Sequence, residues 1–169
     1  MEKATEWVTR VLGWFLSVLM ATMVIDVTWQ VFTRFVLRNP SSYTEEIARF
    51  QLVWIGLLGA SYAYRTKAHL GIDVLAAKLK GNRKRLLEII INLLVLAFAF
   101  FVMVVGGIRL VRLTFILRQV SAALGIPIGY VYIVVPLSGV LIIYFALYFI
   151  IGAVLEKERI AVLGKPEAV

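Results

Sequence analysis

Hydrophobic residues are arranged in four long segments, separated by shorter stretches rich in polar and charged residues. A helix needs about 20 consecutive, mostly apolar residues to cross the hydrocarbon region of a bilayer. The pattern therefore predicts four transmembrane helices, at about residues 7–37, 43–64, 86–110 and 130–155. We expect an all-α integral membrane protein that forms a single membrane domain over residues 1–169.

The first and fourth segments each depart from a simple span. The first starts with Lys3 and Arg10, as a secretory signal does, but its apolar run continues past Asp26 without a convincing small-residue cleavage site. We therefore expect it to be the first membrane helix, tilted or protruding because it is longer than a bilayer requires. The fourth segment contains Pro136, which should kink it near its outer end.

The composition supports the membrane interpretation. Hydrophobic residues make up 62% of the 169 residues, charged residues only 17%, and the mean hydropathy is +0.91. A soluble domain of this size could not cover so much apolar surface, so lipid must cover it. The sequence has no cysteine, which excludes disulfides and thiolate metal sites. The net charge of +8 comes from residues between the apolar segments, which indicates contact with anionic lipid headgroups rather than with nucleic acid.

Lysine and arginine are distributed unevenly between the two sides of the predicted helices. The loop between the second and third helices is strongly basic, and both termini carry further basic residues. The other two loops hold few, with Arg38 in the first, Arg118 in the third and Arg112 beside it. Basic loops stay in the cytoplasm, so we expect both termini and the middle loop to be cytoplasmic. The basic residues of the middle loop are Arg65, Lys67, Lys78, Lys80, Arg83, Lys84 and Arg85.

The middle loop also contains an amphipathic pattern over residues 70–80. Apolar residues lie near one side of a short helix, and Lys78 and Lys80 flank that side. This pattern predicts a helix that lies in the headgroup plane of the cytoplasmic leaflet, where Gly81 ends it. A solvated basic loop is the alternative.

His69 and Asp73 are four residues apart in the same loop and would share one face of a helix. A zinc site would need about two more ligands, and the sequence has no other histidine and no cysteine. We therefore expect no metal and no cofactor. The two residues are more readily explained as orienting the cytoplasmic turn that begins at Arg65.

Ionisable residues also lie within the first two apolar segments. Asp26 and Arg34 lie on one polar stripe of the first helix, and a charge at membrane depth is retained where it faces a partner or a cavity. The short first loop makes the first two helices antiparallel neighbours, which brings Arg34 and Glu46 to similar depth and lets Arg49 lean toward Asp26. The sequence predicts a structural ion network of Asp26, Arg34, Glu45, Glu46 and Arg49. Alternatively, Asp26 or Glu46 carries a proton, although neighbouring arginines would hold these acids ionised.

Residues 38–75, RNPSSYTEEIARFQLVWIGLLGASYAYRTKAHLGIDVL, resemble the signature stretch of the small membrane subunit of tripartite ATP-independent periplasmic (TRAP) transporters. That signature has an acidic pair followed by Ala-Arg, Trp, Gly-Ala, Arg, His and an acidic residue before Leu. Residues 121–139 resemble a second patch of the same family. The matching residues of the signature are Glu45, Glu46, Arg49, Trp54, Gly59, Ala60, Arg65, His69 and Asp73.

The resemblance implies a scaffold subunit of a sodium-coupled uptake system in the bacterial inner membrane. In that family a periplasmic binding protein captures an organic acid anion, such as a C4-dicarboxylate or sialic acid. A large membrane subunit transports the anion by an elevator motion, and the small subunit supports it in a heterodimer. The substrate and sodium sites lie in the large subunit, so the resemblance implies no catalytic, substrate-binding or metal-binding residue here.

Two surfaces are candidates for contact with these partners. Helices associate in lipid through close packing and small residues, which the second segment offers at Gly56, Gly59 and Ala60, with Trp54 able to fill a neighbour's hollow. Alternatively, these small residues only pack the chain's own bundle. Loops one and three, with Arg38 and Arg118, are candidates for docking of the periplasmic binding protein.

A different class of function is a self-sufficient, homodimeric, proton-coupled exporter that uses Asp26. Small four-helix exporters carry a lone carboxylate in the first helix, but here Arg34 and Arg49 would neutralise it. The sequence shows no nucleophile–base pair and no metal cluster, so we do not expect an enzyme.

Overall fold

The computed structural model describes residues 2–38, 42–66 and 82–163, and over these residues the chain is helical apart from its connections. The third helix contains a π-helical segment, and the fourth apolar segment is divided into a short and a long helix. The helices are α1 (Glu2–Phe35), α2 (Ser42–Arg65), α3 (Asn82–Phe98), the π segment (Ala99–Gly106), α4 (Gly107–Ile116), α5 (Gly129–Tyr132) and α6 (Val134–Leu163). The predicted amphipathic helix at 70–80, with His69 and Asp73, lies outside the described residues.

Three stretches of these helices are long and apolar enough to cross a membrane: Lys3–Phe35, Leu86–Ile116 and Gly129–Ala153. The predicted all-α, membrane-spanning class is therefore confirmed. The 24-residue α2 is not among the three. At about 1.5 Å per residue it is long enough to span, but its charged first turns make it less apolar. A crossing by α2, and with it the count of four spans, stays a prediction.

The third helix is longer than the hydropathy indicated. It runs without interruption from α3 through the π segment to the end of α4 at Ile116, six residues beyond the predicted boundary at Leu110. Arg112 therefore lies on a helix and not in the loop beside Arg118. Helices continue beyond the apolar region wherever their backbone hydrogen bonds can form, so hydropathy does not locate their ends.

The helices pack in the order α1, α2, α6, α3, each mainly against the next, and α6 also packs along the π segment. One core cluster joins α1, α2 and the last segment, and a smaller one joins α6 to the π segment. The first contains Leu12, Leu16, Leu58, Val134 and Phe145, and the second contains Ala99, Met103 and Ile142.

The fourth segment is interrupted at Ile133, between α5 and α6 and three residues before Pro136. Pro136 is the third residue of α6. In the first turn of a helix the missing N–H of proline has no intrahelical acceptor to lose, which is why proline is tolerated there. The irregularity consequently lies just before the proline.

Large apolar side chains are exposed along every long helix. Trp7, Trp14 and Trp29 on α1 are 66%, 71% and 52% exposed. Contiguous apolar surface of this kind is not stable against water, so acyl chains or partner helices must cover it. Because α1 lies at one end of the row, most of its surface remains available for such contacts.

Candidate functional site

Three polar contacts join α2 to the segment that contains α5 and the start of α6. In each of them the two residues are 77 positions apart, so the two stretches run in the same direction. On α2 the contacts are spaced by eight and seven residues, which is two helical turns each and keeps them on one face. We call this face the inner seam of α2; its contacts are Glu46–Ala123, Trp54–Val131 and Ser61–Ser138.

The outer end of the inner seam is a carboxylate that binds a loop backbone. One oxygen of Glu46, Oε2, accepts hydrogen bonds from the N–H groups of Ala123 at 2.8 Å and Leu124 at 3.1 Å. Both donors belong to the second patch that resembles the transporter family, and Glu46 belongs to the first. The two patches therefore meet at this contact.

The loop that Glu46 binds is closed by its own backbone. Val120 and Pro127 form an isolated antiparallel bridge, flanked by a 2.8 Å hydrogen bond from Ser121 N–H to the carbonyl of Ile126. Gly125 has φ of +67°, a conformation that residues with a Cβ rarely adopt. We call residues 119–128 the outer loop; its tip turns back toward Glu46 because the glycine allows the reversal.

Glu46→Ala should release the tip of the outer loop, because the N–H groups of Ala123 and Leu124 lose their shared acceptor. Hydrogen–deuterium exchange measured by mass spectrometry on peptides covering residues 121–125 should become faster by about tenfold or more. Glu45→Ala is the matched control, since Glu45 contacts Arg49 and not the loop. Unchanged protection in Glu46→Ala would show that the loop is held without this carboxylate.

The residues of the predicted ion network do not all contact one another in the structure. Glu45 and Arg49 form an ion pair at 3.0 Å on the outside of α2, with side chains 59% and 68% exposed. Such an exposed pair at i and i+4 contributes about 0.3–0.5 kcal/mol at most. Glu46 binds the outer loop instead of an arginine. Within residues 2–38, 42–66 and 82–163, Asp26 and Arg34 form no ion pair.

The contact between α1 and α2 at this depth is neutral. The Nε2 group of Gln51 lies 3.2 Å from Thr22 Oγ1, where the sequence suggested Arg49 reaching toward Asp26. Sequence reasoning missed Gln51 because depth along a hairpin does not determine which side of each helix faces the other. The sequence offered one indication of this contact, which is that Gln51 is a polar residue within an apolar segment.

The four predicted interface residues of α2 are split between two faces. Trp54 lies on the inner seam, where its Nε1–H donates to the carbonyl of Val131 at 3.1 Å, so its contacts are within the chain. Gly56 and Ala60 are exposed, and an added Cβ at Gly56 or Gly59 would meet no atom within 4 Å. Gly56, Gly59 and Ala60 therefore form what we call the small-residue face.

Gly107 and Gly139 have the opposite environment. An added Cβ at Gly139 would lie 2.8 Å from Met103 Cβ, and one at Gly107 would lie 2.9 Å from Pro136 Cδ. These glycines allow α6 to approach the third helix closely. Gly107 and Gly139 thus serve the chain's own packing, whereas an added Cβ at Gly56 or Gly59 would meet none of the described residues within 4 Å.

The two candidate docking arginines share a backbone geometry. Arg38 has φ of +51° and Arg118 has φ of +48°, and both side chains are exposed. Arg118 follows α4, where its N–H donates to Phe115 O at 3.1 Å while Gln119 N–H donates to Thr114 O at 3.1 Å. This is the hydrogen-bond pattern that ends a helix with one residue in the left-handed conformation.

At the other end of α2, Arg65 contacts α6. Its guanidinium carbon lies 5.1 Å from the centroid of the Tyr148 ring and 5.7 Å from that of Phe149. These cation–π contacts fix the end of α2 against α6. The other two members of the predicted cytoplasmic turn, His69 and Asp73, are outside the described residues.

Comparison with known proteins identifies the family. The model of the DctQ component of tripartite ATP-independent periplasmic transporters matches residues 23–156. The chain belongs to this family. It is a TRAP small permease protein, a multi-pass membrane component of a transporter. The resemblance seen in the two sequence patches is thus confirmed, and membership gives no support to a self-sufficient exporter that uses Asp26.

Individual relatives agree with this assignment. The sialic acid TRAP transporter small permease protein SiaQ of Vibrio cholerae is 28% identical over 126 residues, which cover 75% of this chain and 71% of that protein. A putative TRAP transporter small permease protein of Haemophilus influenzae is 25% identical over 142 residues, covering 84% and 86%. These names describe transport components and not enzymes.

A third relative shows the same region inside a larger protein. The isethionate TRAP transporter permease protein DctMQ of Oleidesulfovibrio alaskensis is 26% identical over 142 residues. The match covers 76% of this chain but only 22% of that permease. In that protein the matched region is one part of a longer permease chain.

Proposed function

We propose that this chain is the scaffold subunit of a sodium-coupled TRAP transporter in the bacterial inner membrane. It would support a separate large subunit that transports an organic acid anion by an elevator motion. The observation that carries the proposal is the division of α2 into two faces. Its inner seam holds the chain's own fold, while on its small-residue face an added Cβ at Gly56 or Gly59 would meet none of the described residues within 4 Å.

The proposed transport reaction is uptake of an organic acid delivered by a periplasmic binding protein. Relatives named for sialic acid and isethionate transport support the substrate class, since both are organic acids. Reconstitution in liposomes tests the proposal: uptake should require a sodium gradient, the binding protein and the large subunit together with this chain. Uptake or export by this chain alone would refute the scaffold role.

The small-residue face is the proposed contact with the large subunit. With Leu52, which is 57% exposed, and the exposed Glu45–Arg49 pair, it continues along one side of α2. Its glycines permit close backbone approach, which is what helix association in lipid needs. The exposed apolar side of α1 would extend the same interface, because α1 packs on α2.

For the topology we propose four spans, at about 7–37, 43–64, 86–110 and 130–155, with both termini in the cytoplasm. The basic middle loop and the less basic outer loops support this orientation. The parallel course of α2 and the α5–α6 segment agrees with it, since second and fourth spans run in the same direction. We further propose that residues 70–80 lie on the cytoplasmic leaflet.

Lys84→Cys should be labelled by a membrane-impermeant maleimide only from the cytoplasmic side. The sequence contains no cysteine, so the introduced thiol has no background. Gln119→Cys in the outer loop is the control for the opposite side and should be labelled only from the periplasm. Labelling of Lys84→Cys in intact cells would reverse the proposed orientation.

Arg118→Glu should reduce binding-protein-dependent uptake several-fold, and more at low than at high ionic strength, while the two membrane subunits remain assembled. Charges at the rim of an interface mainly steer encounter, and salt screens them. Arg118→Gly is the matched control, because it removes the charge and also relieves the left-handed backbone at φ of +48°. Its uptake should lie between those of wild type and Arg118→Glu. Equal uptake in all three would place docking elsewhere.

A further inference from the structure

An open cleft of about 760 Å³ lies between α1 and α2, at the end where α1 begins and α2 finishes. Its lining is charged at one end and aromatic at the other. Glu6, Arg10 and Arg65 lie near the helix ends, while Trp14 and Tyr62 lie farther along the two helices. The lining on α1 extends over twelve residues, or roughly 16 Å, from Glu6 to Ser17.

The polarity of this cleft matches an amphiphile. A phospholipid has a polar headgroup several ångströms long joined to acyl chains, and aromatic residues are enriched at that boundary. Trp14 is 71% exposed, so it has ring surface available for an acyl chain. Gly13 lets the Tyr62 ring lie close to α1 at the cleft, because an added Cβ there would be only 3.2 Å from that ring.

The donors and acceptors in the lining distinguish between headgroups. Arg10 and Arg65 offer N–H donors for a phosphate, and Arg65 Nε is buried without a hydrogen-bond partner among the described residues. Glu6 offers a carboxylate, which attracts a cationic group and repels a second anion.

Three aliphatic hydroxyl groups of the lining add acceptors but no donors. Thr9, Ser17 and Thr66 each already donate their O–H to a backbone carbonyl of their own helix, at 2.8, 2.9 and 3.1 Å. Their oxygen lone pairs remain able to accept. An ammonium group with N–H donors is therefore complementary to Glu6 and to the oxygens of Thr9 and Thr66, which lie near the same helix ends.

We propose that this cleft binds a zwitterionic phospholipid, with its phosphate at Arg10 and Arg65 and its headgroup ammonium facing Glu6. Phosphatidylethanolamine has both groups. Phosphatidylcholine has the same charges but no ammonium N–H, and phosphatidylglycerol has the phosphate without a cation. Both walls of the cleft belong to this chain.

Native mass spectrometry of the purified full chain, delipidated and then offered each lipid separately in detergent, tests the proposal. Wild type should retain phosphatidylethanolamine in preference to the other two lipids. Arg10→Gln should retain about tenfold less of all three, as expected for loss of one charge-assisted contact. Glu6→Gln should lose the preference for phosphatidylethanolamine and keep phosphatidylglycerol. Lys3→Gln, an exposed change outside the cleft, is the control and should behave as wild type.

A further variant, which changes no charge, tests the site independently of any folding defect that the charge variants have. Ser17→Leu fills the acyl end of the cleft from an exposed position without changing charge, and should reduce retention of every phospholipid. Equal retention of the three lipids by wild type would overturn the proposal. So would normal retention by Arg10→Gln, or displacement of the lipid by excess inorganic phosphate, which would indicate a site for free anions.

Discussion

Gly59→Leu is expected to abolish co-purification of this chain with its large subunit while leaving the chain itself folded. An added Cβ at Gly59 meets no atom of the described residues within 4 Å, so this part of the fold has room for a side chain there. In a bilayer, Leu packed against Leu gains little over Leu packed against lipid, so association depends on close approach of the helices. A leucine would hold the partner helix away from the small-residue face.

The measurement is affinity purification through a tag on the large subunit, followed by quantification of this chain. Gly152→Leu is the matched control, because Gly152 is exposed on α6 and an added Cβ there also meets no atom within 4 Å. Gly59→Ala should reduce recovery less than Gly59→Leu, since a methyl group is a smaller spacer. Normal recovery of Gly59→Leu would move the interface to another face, such as the exposed side of α1.

Gly139→Leu is expected to have the opposite profile and to destabilise the isolated chain. An added Cβ at this position would lie 2.8 Å from Met103 Cβ and 3.3 Å from the backbone oxygen of Ala99. A side chain can rotate away, but the backbone of the π segment cannot move without separating it from α6. Overpacking of this kind costs about 1–3 kcal/mol, and the backbone contact places Gly139→Leu toward the upper end.

Thermal unfolding of the purified chain in detergent measures this effect. The midpoint for Gly139→Leu should fall by several degrees, whereas Gly152→Leu, on the same helix, should match wild type. Gly59→Leu should also unfold at the wild-type temperature, which separates loss of the complex from loss of the fold. Equal midpoints for Gly139→Leu and wild type would mean that the two helices can separate without cost.

Several properties of this protein follow from the sequence alone. The apolar segments, the all-α membrane class and the uneven distribution of basic residues depend only on which residues occur in each stretch of the chain. They are therefore the same whichever way the helices pack. The two family patches are also local, and residues 38–75 and 121–139 were enough to indicate a TRAP small subunit. The structure changed the extents of these elements, as in the continuation of α4 to Ile116, but not their nature.

The tertiary structure decided which partner each polar residue contacts. Glu45 and Glu46 are adjacent and have the same chemistry, yet Glu45 pairs with Arg49 on the exposed side while Glu46 binds the backbone of the outer loop. Successive residues of a helix point about 100° apart, so a one-residue difference changes the facing neighbour completely.

The same reason separates Trp54 from Gly56 and Gly59. All three lie within two turns of α2, and the sequence placed them on one interface. Packing of α2 against α5 and α6 fixed the rotation of the helix about its own axis, which turned Trp54 toward Val131 and left the glycines outside. The order of residues along the chain determines how deep each one lies in the membrane. The direction in which each side chain of α2 points is determined only when the helices pack, because its partners are residues 77 positions away.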